Sequence, residues 1–481
     1  MTPRSITFGT DGWRAITGDD FTFDTVRHVA QGIAQYLASV GGETAVVGYD
    51  RRFASEVFAE EVARVLAGNG LRTLLLDRAS PTQVASWTVI AERAKGAAVV
   101  TASHNPYLFN GIKYKPETGS SAPPEVIREL ERRINELLAA DAADRVIKRA
   151  AADDVRIERI DPRPSYFQQL GRMVELPRLR DAGLRVLHDP MYGSGAGYLA
   201  EALAGGSTVV DALHAERNPY FGGHNPEPIP PNLDDTQDVM RQGRHQLAIV
   251  TDGDADRVGI VDESGRFVTT LEVYALLLRY LVEVRGWRGP IVRSINMTSM
   301  ADRLAERYGL SLHEVPIGFK SIAPKMLETS ALLGGEESGG YAIRGHIPER
   351  DGVLVGLMIA DYLVRSERPL SALLRELEEL VGPSAYRRHD FHLRRDTYDE
   401  DRRRILTTLA DHTPDEVAGQ RVVGRRDDDG LKLTLADGGW VLLRASGTEP
   451  TVRVYAEART MEEVEARLQA LEEIVEMRDH G

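Results

Sequence analysis

The chain contains no cysteine. That excludes disulfide scaffolds, thiolate metal centres and cysteine nucleophiles, and it fits a cytoplasmic protein. No apolar run approaches the ~18 residues of a membrane span, and residues 1–6 lack the apolar stretch that opens a secretory signal. Positive charge is in deficit: 59 Lys and Arg against 73 Asp and Glu leave a net charge of −14. A field of that sign disfavours nucleic acids and anionic membranes as partners. A small anionic substrate is compatible with it, provided that arginines and lysines converge locally. There is no low-complexity segment and no strict repeat.

What is present is 481 residues, enough for three or four domains at ~100–200 residues each. A content of 42% hydrophobic and 27% charged residues describes a soluble globular protein. Apolar residues at the 3.6-residue period predict a helix over 24–40, where Val26, Val29, Ile33, Tyr36, Leu37 and Val40 share a face. Further helices are predicted over 55–66, 81–93 and 124–140, alternating with strands at 44–49, 71–76 and 97–100. This is the pattern of βαβ units around a largely parallel sheet. Residues 161–268 read as a second such unit and 269–384 as a third, after a first unit over 1–160. The last unit, 385–481, alternates less regularly and closes with a helix from 461.

The strand at 97–100 runs into Thr101-Ala102-Ser103-His104-Asn105-Pro106. A hydroxyl at the carboxyl end of a buried strand, with a histidine beside it, is well placed for chemistry, because open α/β sheets bind ligands there. A plain Asn-Pro turn is the alternative. Upstream, Phe8-Gly9-Thr10-Asp11-Gly12-Trp13-Arg14 is a tight loop that ends in Arg14. Downstream, Asn110-Gly111-Ile112-Lys113-Tyr114 reads as a hairpin-like turn presenting Lys113.

A second strand, 247–250, runs into Thr251-Asp252-Gly253-Asp254-Ala255-Asp256-Arg257. Alternate residues of an extended chain share a side, so Asp252, Asp254 and Asp256 can turn toward one point. Each pair of carboxylates ~4 Å apart costs ~4 kcal/mol at an effective dielectric of 20. Such a loop should hold a hard divalent cation on oxygen ligands. An EF-hand would need glycine where Arg257 stands, and helices where strands flank the loop; a solvated acidic turn is the remaining alternative. The glycines of Asp189-Pro190-Met191-Tyr192-Gly193-Ser194-Gly195 match no nucleotide fingerprint and read as a strand-to-helix turn. The Pro/Gly-rich loop over 218–232 carries no legible chemistry.

Pro316-Ile317-Gly318-Phe319-Lys320 reads as a turn that presents Lys320. In Gly334-Gly335-Glu336-Glu337-Ser338-Gly339-Gly340, two acids and a serine are bracketed by glycines. Carboxylates accept hydrogen bonds from hydroxyls and glycines admit close approach, which suits a sugar. The stretch with His346 and Arg350 continues the same wall. Finally, Arg444-Ala445-Ser446-Gly447-Thr448-Glu449-Pro450 and the following Arg453 make a phosphate nest between two strands. Both arginines can give charge-assisted bonds to phosphate oxygens.

Four of these stretches, in this order, resemble the α-D-phosphohexomutases, the phosphoglucomutase/phosphomannomutase family: those of Ser103, of Asp252 to Arg257, of Glu336 to Ser338 and of Arg444 to Thr448. The opening Gly9-Thr10-Asp11-Gly12-Trp13-Arg14 also fits, so the resemblance spans almost the whole chain. It implies an α/β protein of four domains around a central cleft, three related mixed α/β domains plus a smaller α+β C-terminal lid. It implies interconversion of hexose 1-phosphate and hexose 6-phosphate, through a phosphoserine enzyme and a bisphosphate intermediate. Mg²⁺ is the implied cofactor, glucose 1,6-bisphosphate the implied activator and intermediate, and sugar phosphates the implied partners.

Carried over motif by motif, Ser103 is the residue phosphorylated, and Ser103, through its phosphate, holds Mg²⁺ with Asp252, Asp254 and Asp256. Glu336 and Ser338 bind sugar hydroxyls, with Arg257, Gly318, Lys320, His346 and Arg350 as further substrate-binding residues. Arg444, Ser446, Gly447 and Thr448 bind the phosphate that is not reacting, with Arg453 beside them. Arg14, Lys113 and Arg257 can neutralise the moving group, and His104 is the nearest candidate base. The Gly-Glu-Glu-Ser-Gly loop looks like the glucose type. Arg350 stands where phosphoglucomutases have lysine, a swap that keeps the charge and changes the geometry. The same motifs would serve a phosphomannomutase, a synthase making glucose 1,6-bisphosphate from fructose 1,6-bisphosphate, or an idle sugar-phosphate-binding protein. Monomer and homodimer are both left open.

Overall fold

The structure, a computed structural model, describes residues 5–9, 11–140, 146–394, 397–411, 413–445 and 451–475. Four sheets follow one another along the chain. The first is built from β1 (Trp13–Ile16), β2 (Thr44–Tyr49), β3 (Arg72–Leu76), β4 (Gly96–Val100), β5 (Phe109–Pro116) and β6 (Ile157–Ile160), in the order β1-β5-β4-β2-β3-β6. Strands β4, β2, β3 and β6 are parallel, while β5 and β1 are antiparallel additions at one edge.

Helices α1 (Phe23–Ser39), α2 (Ser55–Gly68), α3 (Thr82–Ala91) and α4 (Pro124–Ala139) cover this sheet. Thr22 starts α1 through a capping box with Thr25, which satisfies amides the helix itself cannot pair. The two faces of β2 show the period of two: Ala45 and Val47 pack with Val29, Ile33 and Leu66 on one side, and Val46 packs with Ala85 and Val89 of α3 on the other.

One expectation is corrected here. Residues 110–114 are not a hairpin turn but the middle of β5, with Lys113 opposite Val99. Asn-Gly is a turn signal, yet Asn110 is fully buried and its Nδ2 donates to Ser55 Oγ at 3.0 Å. Pairing on both edges of β5 outweighs the local preference.

The second sheet has the order β11-β10-β9-β7-β8, from β7 (Arg185–Asp189), β8 (Val209–Ala212), β9 (Leu247–Thr251), β10 (Val258–Asp262) and β11 (Phe267–Val268). The third is β13-β12-β14-β15, from β12 (Ile291–Ser294), β13 (Leu312–Val315), β14 (Leu333–Glu336) and β15 (Gly340–Ile343). Each mixes parallel strands with an antiparallel edge. One apolar cluster runs through both domains, from Leu170 and Ile249 to Tyr274 and Leu357. Residues 319 and 320 do not form a turn: Gly318, at φ +107°, precedes the helix Phe319–Thr329, and Lys320 lies in its first turn. A proline within that run, Pro324, obscures the helix in the sequence.

The fourth sheet is wholly antiparallel, β16-β21-β20-β19-β18-β17, from β16 (Ala385–His392), β17 (Glu416–Val417), β18 (Gln420–Arg426), β19 (Leu431–Leu435), β20 (Trp440–Ala445) and β21 (Thr451–Ala458). The helix Met461–Val475 packs Val464, Leu468 and Leu471 against Leu433, Val441 and Val454. The fold is therefore three mixed α/β domains and a smaller α+β domain. The last domain is fastened to the third by two carboxylates, Glu457, which is buried, and Glu314, which is partly so. Glu457 accepts from Thr298 Oγ1 (2.6 Å), Ser299 N (2.8 Å), Ser384 Oγ (2.5 Å) and Trp440 Nε1 (2.5 Å). Glu314 of β13 accepts from Lys432 Nζ of β19 at 2.6 Å. No helix among the described residues is long and apolar enough to cross a membrane.

Candidate active site

Strands β2 and β4 are neighbours, and their carboxyl ends carry Asp50 and Thr101. Thr101 Oγ1 donates to Asp50 Oδ2 at 2.7 Å and accepts from the Ser103 amide at 2.9 Å. Ser103 has a left-handed backbone, φ +51°, a conformation uncommon outside glycine. The fully buried Arg52 braces it. Its guanidinium donates to the carbonyls of Ser103 (2.5 Å), Asn105 (2.7 Å), Pro106 (2.9 Å) and Phe109 (3.1 Å), and Nε lies 3.2 Å from Asp50 Oδ2. One cation thus satisfies four backbone acceptors. Arg14, at the start of β1, donates to Asn105 Oδ1 at 2.5 Å.

The Ser103 hydroxyl reaches across to the second domain and donates to Asp252 Oδ2 at 2.8 Å, with His104 Nδ1 at 3.5 Å from its oxygen. The turn after β9 holds Asp252, Asp254 and Asp256, all fully buried, with one carboxylate oxygen of each within 4.8 Å of the others. A Cβ on Gly253 would lie 2.4 Å from the Ser103 carbonyl oxygen, so glycine is required where the two loops meet. Lys113 Nζ sits 2.8 Å from both Asp254 Oδ2 and Asp256 Oδ2 and 2.9 Å from Asp11 Oδ2. Arg350 lies 2.9 Å from Asp256 Oδ2 and 3.1 Å from Glu336 Oε1, to which Ser338 Oγ donates at 2.8 Å.

Burial, then the charges of Asp254 and Asp256, push the Asp252 carboxyl well above the usual range. Burial acts the same way on Asp254, but the Lys113 ammonium overrides it and holds that carboxyl low. At Lys113 burial opposes the charge, and Asp11, Asp254 and Asp256 outweigh it, so the ammonium is held above its ordinary value. Burial, reinforced by Arg257, Arg14, Lys113 and Arg52, holds the His104 imidazole well below its usual value. It is neutral near pH 7. Asp254 Oδ1 and Asp256 Oδ1 are buried with no hydrogen-bond partner. Orphaned carboxylate oxygens in an all-oxygen set are the donors a hard divalent cation takes.

The remaining residues fall into two groups. Arg257 is in the cleft: its amide donates to Asp252 Oδ1 at 3.0 Å and its guanidinium lies 3.4 Å from Glu227. Lys320 joins Asp11, Gly12 and Arg128 in lining a cavity of about 260 Å³ between the first and third domains. His346 is not brought to the carboxylate cluster. Its side chain is buried, with Nε2 2.9 Å from Asp351 Oδ2 and its ring stacked on Trp87. Glu337 turns away from Glu336 and lies 3.4 Å from Arg388 of the fourth domain. Arg444 donates to Asp429 at 2.8 Å, and Asp429 also accepts the Ile317 amide of the third domain at 2.8 Å. Arg453 lies 3.5 Å from Asp390. Ser446, Gly447 and Thr448 lie outside the described residues.

Sequence reasoning missed Asp11, Arg52 and Glu227. Arg52 had one usable signal, its place just beyond β2 at the same end of the sheet as Ser103. Asp11 was visible only as part of an Asp-Gly turn. Glu227 had no signal at all.

The chain matches four domain families described as phosphoglucomutase/phosphomannomutase: alpha/beta/alpha domain I over 5–141, domain II over 164–265, domain III over 271–380 and the C-terminal domain over 403–474. A curated phosphoglucomutase/phosphomannomutase of Thermococcus kodakarensis is 28% identical over 464 residues, 96% of each chain. A phosphoglucosamine mutase of Rubrobacter xylanophilus is 29% identical over 459 residues, 94% of this chain and 93% of that one. A crystal structure from Thermus thermophilus, provisionally named a phosphomannomutase, is 34% identical, covers 99% of this chain and 100% of its own, and superposes with a TM-score of 0.85. Fold and relatives together define a phosphohexomutase, an intramolecular phosphotransferase. The chain belongs to the phosphoglucomutase/phosphomannomutase family.

Proposed function

We propose that the enzyme interconverts hexose 1-phosphate and hexose 6-phosphate, with glucose as its sugar, through phospho-Ser103 and a bound hexose 1,6-bisphosphate. The observation that carries this reading is the Ser103 hydroxyl, held in a left-handed loop at 2.8 Å from Asp252 and beside three clustered carboxylates. A phosphoserine brings a further charge of about −1.5 to −2 to a site where Asp254 Oδ1 and Asp256 Oδ1 already lack a partner. Asp252, Asp254 and Asp256, with the phosphate on Ser103, would hold Mg²⁺, which would supply positive charge to the transferring group.

In the first half-reaction the P–Oγ bond of phospho-Ser103 breaks as a P–O bond forms to the sugar O6. The hydroxyl proton passes to the neutral His104 and on to Ser103 Oγ. The bisphosphate then turns over in the cleft. In the second half-reaction Ser103 Oγ takes the phosphoryl group from O1, its proton returns through His104 to O1, and hexose 6-phosphate leaves. Phosphoryl transfer is mostly positioning and charge stabilisation, and Arg14, Lys113 and Arg257 line the path. Turnover of the bisphosphate suits a phosphate site on a domain that can move, here Arg444 and the loop after it.

The surroundings of Glu336 support a neutral sugar. Glu336 Oε1 already receives Arg350 and Ser338, so the guanidinium beside it disfavours the ammonium of a hexosamine and leaves a place for a hydroxyl. Turnover of the 1-phosphates of glucose, mannose and glucosamine, each with a trace of its 1,6-bisphosphate, tests the choice; faster turnover of glucosamine 1-phosphate would reject it. A Ser103→Ala protein that retains turnover would reject the nucleophile.

A further inference from the structure

We infer that Thr82, at the first position of α3, is a positioning residue for the cation-binding carboxylate of Asp254, reaching it across the boundary between the first and second domains. The inference rests on the reading of Asp252, Asp254 and Asp256 as a divalent-cation site. Thr82 and Asp254 are both fully buried. Thr82 Oγ1 donates to Asp254 Oδ2 at 2.5 Å, and the Thr82 amide donates to the Asp254 carbonyl at 3.0 Å. The residue before the helix, Pro81, offers no side-chain cap, and the first amides of a helix have no partner within it. One of those amides is spent on the acidic loop.

The next residue adds a third bond. Gln83 Nε2 donates to the Ala255 carbonyl at 2.8 Å, and Ala255 is itself left-handed, φ +59°. Helix α3 therefore grips the loop at Asp254 O, Asp254 Oδ2 and Ala255 O, in the strained half of the turn. The effect on Asp254 is a division of labour between its oxygens. Oδ2 is occupied by Thr82 and Lys113, while Oδ1 is buried without a partner and open to a cation. Bonds of this kind fix ligand orientation, and their loss commonly weakens metal binding by about 10- to 100-fold.

Binding of Mn²⁺ to the full-length, unphosphorylated enzyme, followed by the electron paramagnetic resonance of free Mn²⁺, tests this. Thr82→Val removes the hydroxyl and keeps the shape; Thr82→Ser keeps the hydroxyl. The expected result is a dissociation constant about 10- to 100-fold weaker for T82V and near the parent value for T82S. A T82V protein that binds Mn²⁺ as tightly as the parent overturns the role of Thr82. If T82V does not fold, T82S decides: weakened binding by folded T82S overturns it, and parental binding sustains it. A parent enzyme that binds no Mn²⁺ overturns the cation site itself, a separate failure seen before any variant is compared.

Discussion

Arg52 donates to the carbonyl of Ser103 at 2.5 Å, from a position with no exposed surface. The same guanidinium ties the carbonyls of Asn105, Pro106 and Phe109 to Asp50. Lysine at 52 keeps the charge but cannot span four carbonyls, because it lacks the planar fork. Arg52→Lys is expected to lower kcat by about 10²-fold, the scale of a misplaced reacting group, with KM for hexose phosphate nearly unchanged. A matching rise in KM would point to substrate binding rather than to the serine loop. Arg52→Met strands the buried Asp50 and should cost about 3–5 kcal/mol of stability, read by urea unfolding.

Removal of divalent cations should stop turnover. Metal stabilisation of a transferring phosphoryl group is worth several kcal/mol, so activity after EDTA treatment is expected to fall by about 10²- to 10³-fold and to return with Mg²⁺. Turnover that persists after exhaustive chelation would remove the cation from the chemistry.

His188 on β7 predicts an acid limb of the stability curve. It is buried, with Nε2 3.5 Å from Thr251 Oγ1, and burial lowers its imidazole from 6.5 to about 4. As pH falls below 6.5 the unfolded chain binds a proton there that the folded protein refuses until about pH 4. Folding stability therefore declines across that window, by about 2–3 kcal/mol from this residue. His188→Gln should flatten the decline. Parallel pH profiles for parent and variant in urea unfolding would show that the histidine is not the cause.

Glu457 predicts how firmly the last domain is held. It gathers donors from Thr298 and Ser299 of the third domain, Ser384 of the connection and Trp440 of its own sheet. Alanine would leave all of them unpaired, at about 1–3 kcal/mol for each group that water cannot reach. Glu457→Ala is expected to raise the radius of gyration in small-angle scattering and to lower Tm by several degrees. An unchanged scattering profile would mean that other contacts, Glu314 with Lys432 among them, suffice.

The parts of the site that were legible in sequence are those written as continuous runs. Ser103 and the three aspartates each follow a buried strand, but the aspartates converge on a turn with Ala255 left-handed, φ +59°, held from α3, and not on the extended chain that period two presumes. Thr82 and Glu227 act only after domains have docked, so no local pattern announces them, and Arg52 had only its place just beyond β2. Lys113 was found for the wrong local reason: Asn110-Gly111 has turn chemistry, but partners on both sides draw it into a strand. His346 shows the opposite error. It shares a run with Arg350, yet one residue faces the carboxylates and the other packs on Trp87 and Asp351.

The contact between Gly253 and the Ser103 carbonyl has a bearing on how the molecule is made. The backbone of Ser103 is held by residues that precede it, Arg52 and Thr101, but the carboxylate its hydroxyl touches is 149 positions later in the chain. During synthesis the residues that brace the serine loop therefore emerge long before Asp252 does. Serine and carboxylate become one site only where the second domain packs on the first, with no room left at Gly253 for anything but hydrogen.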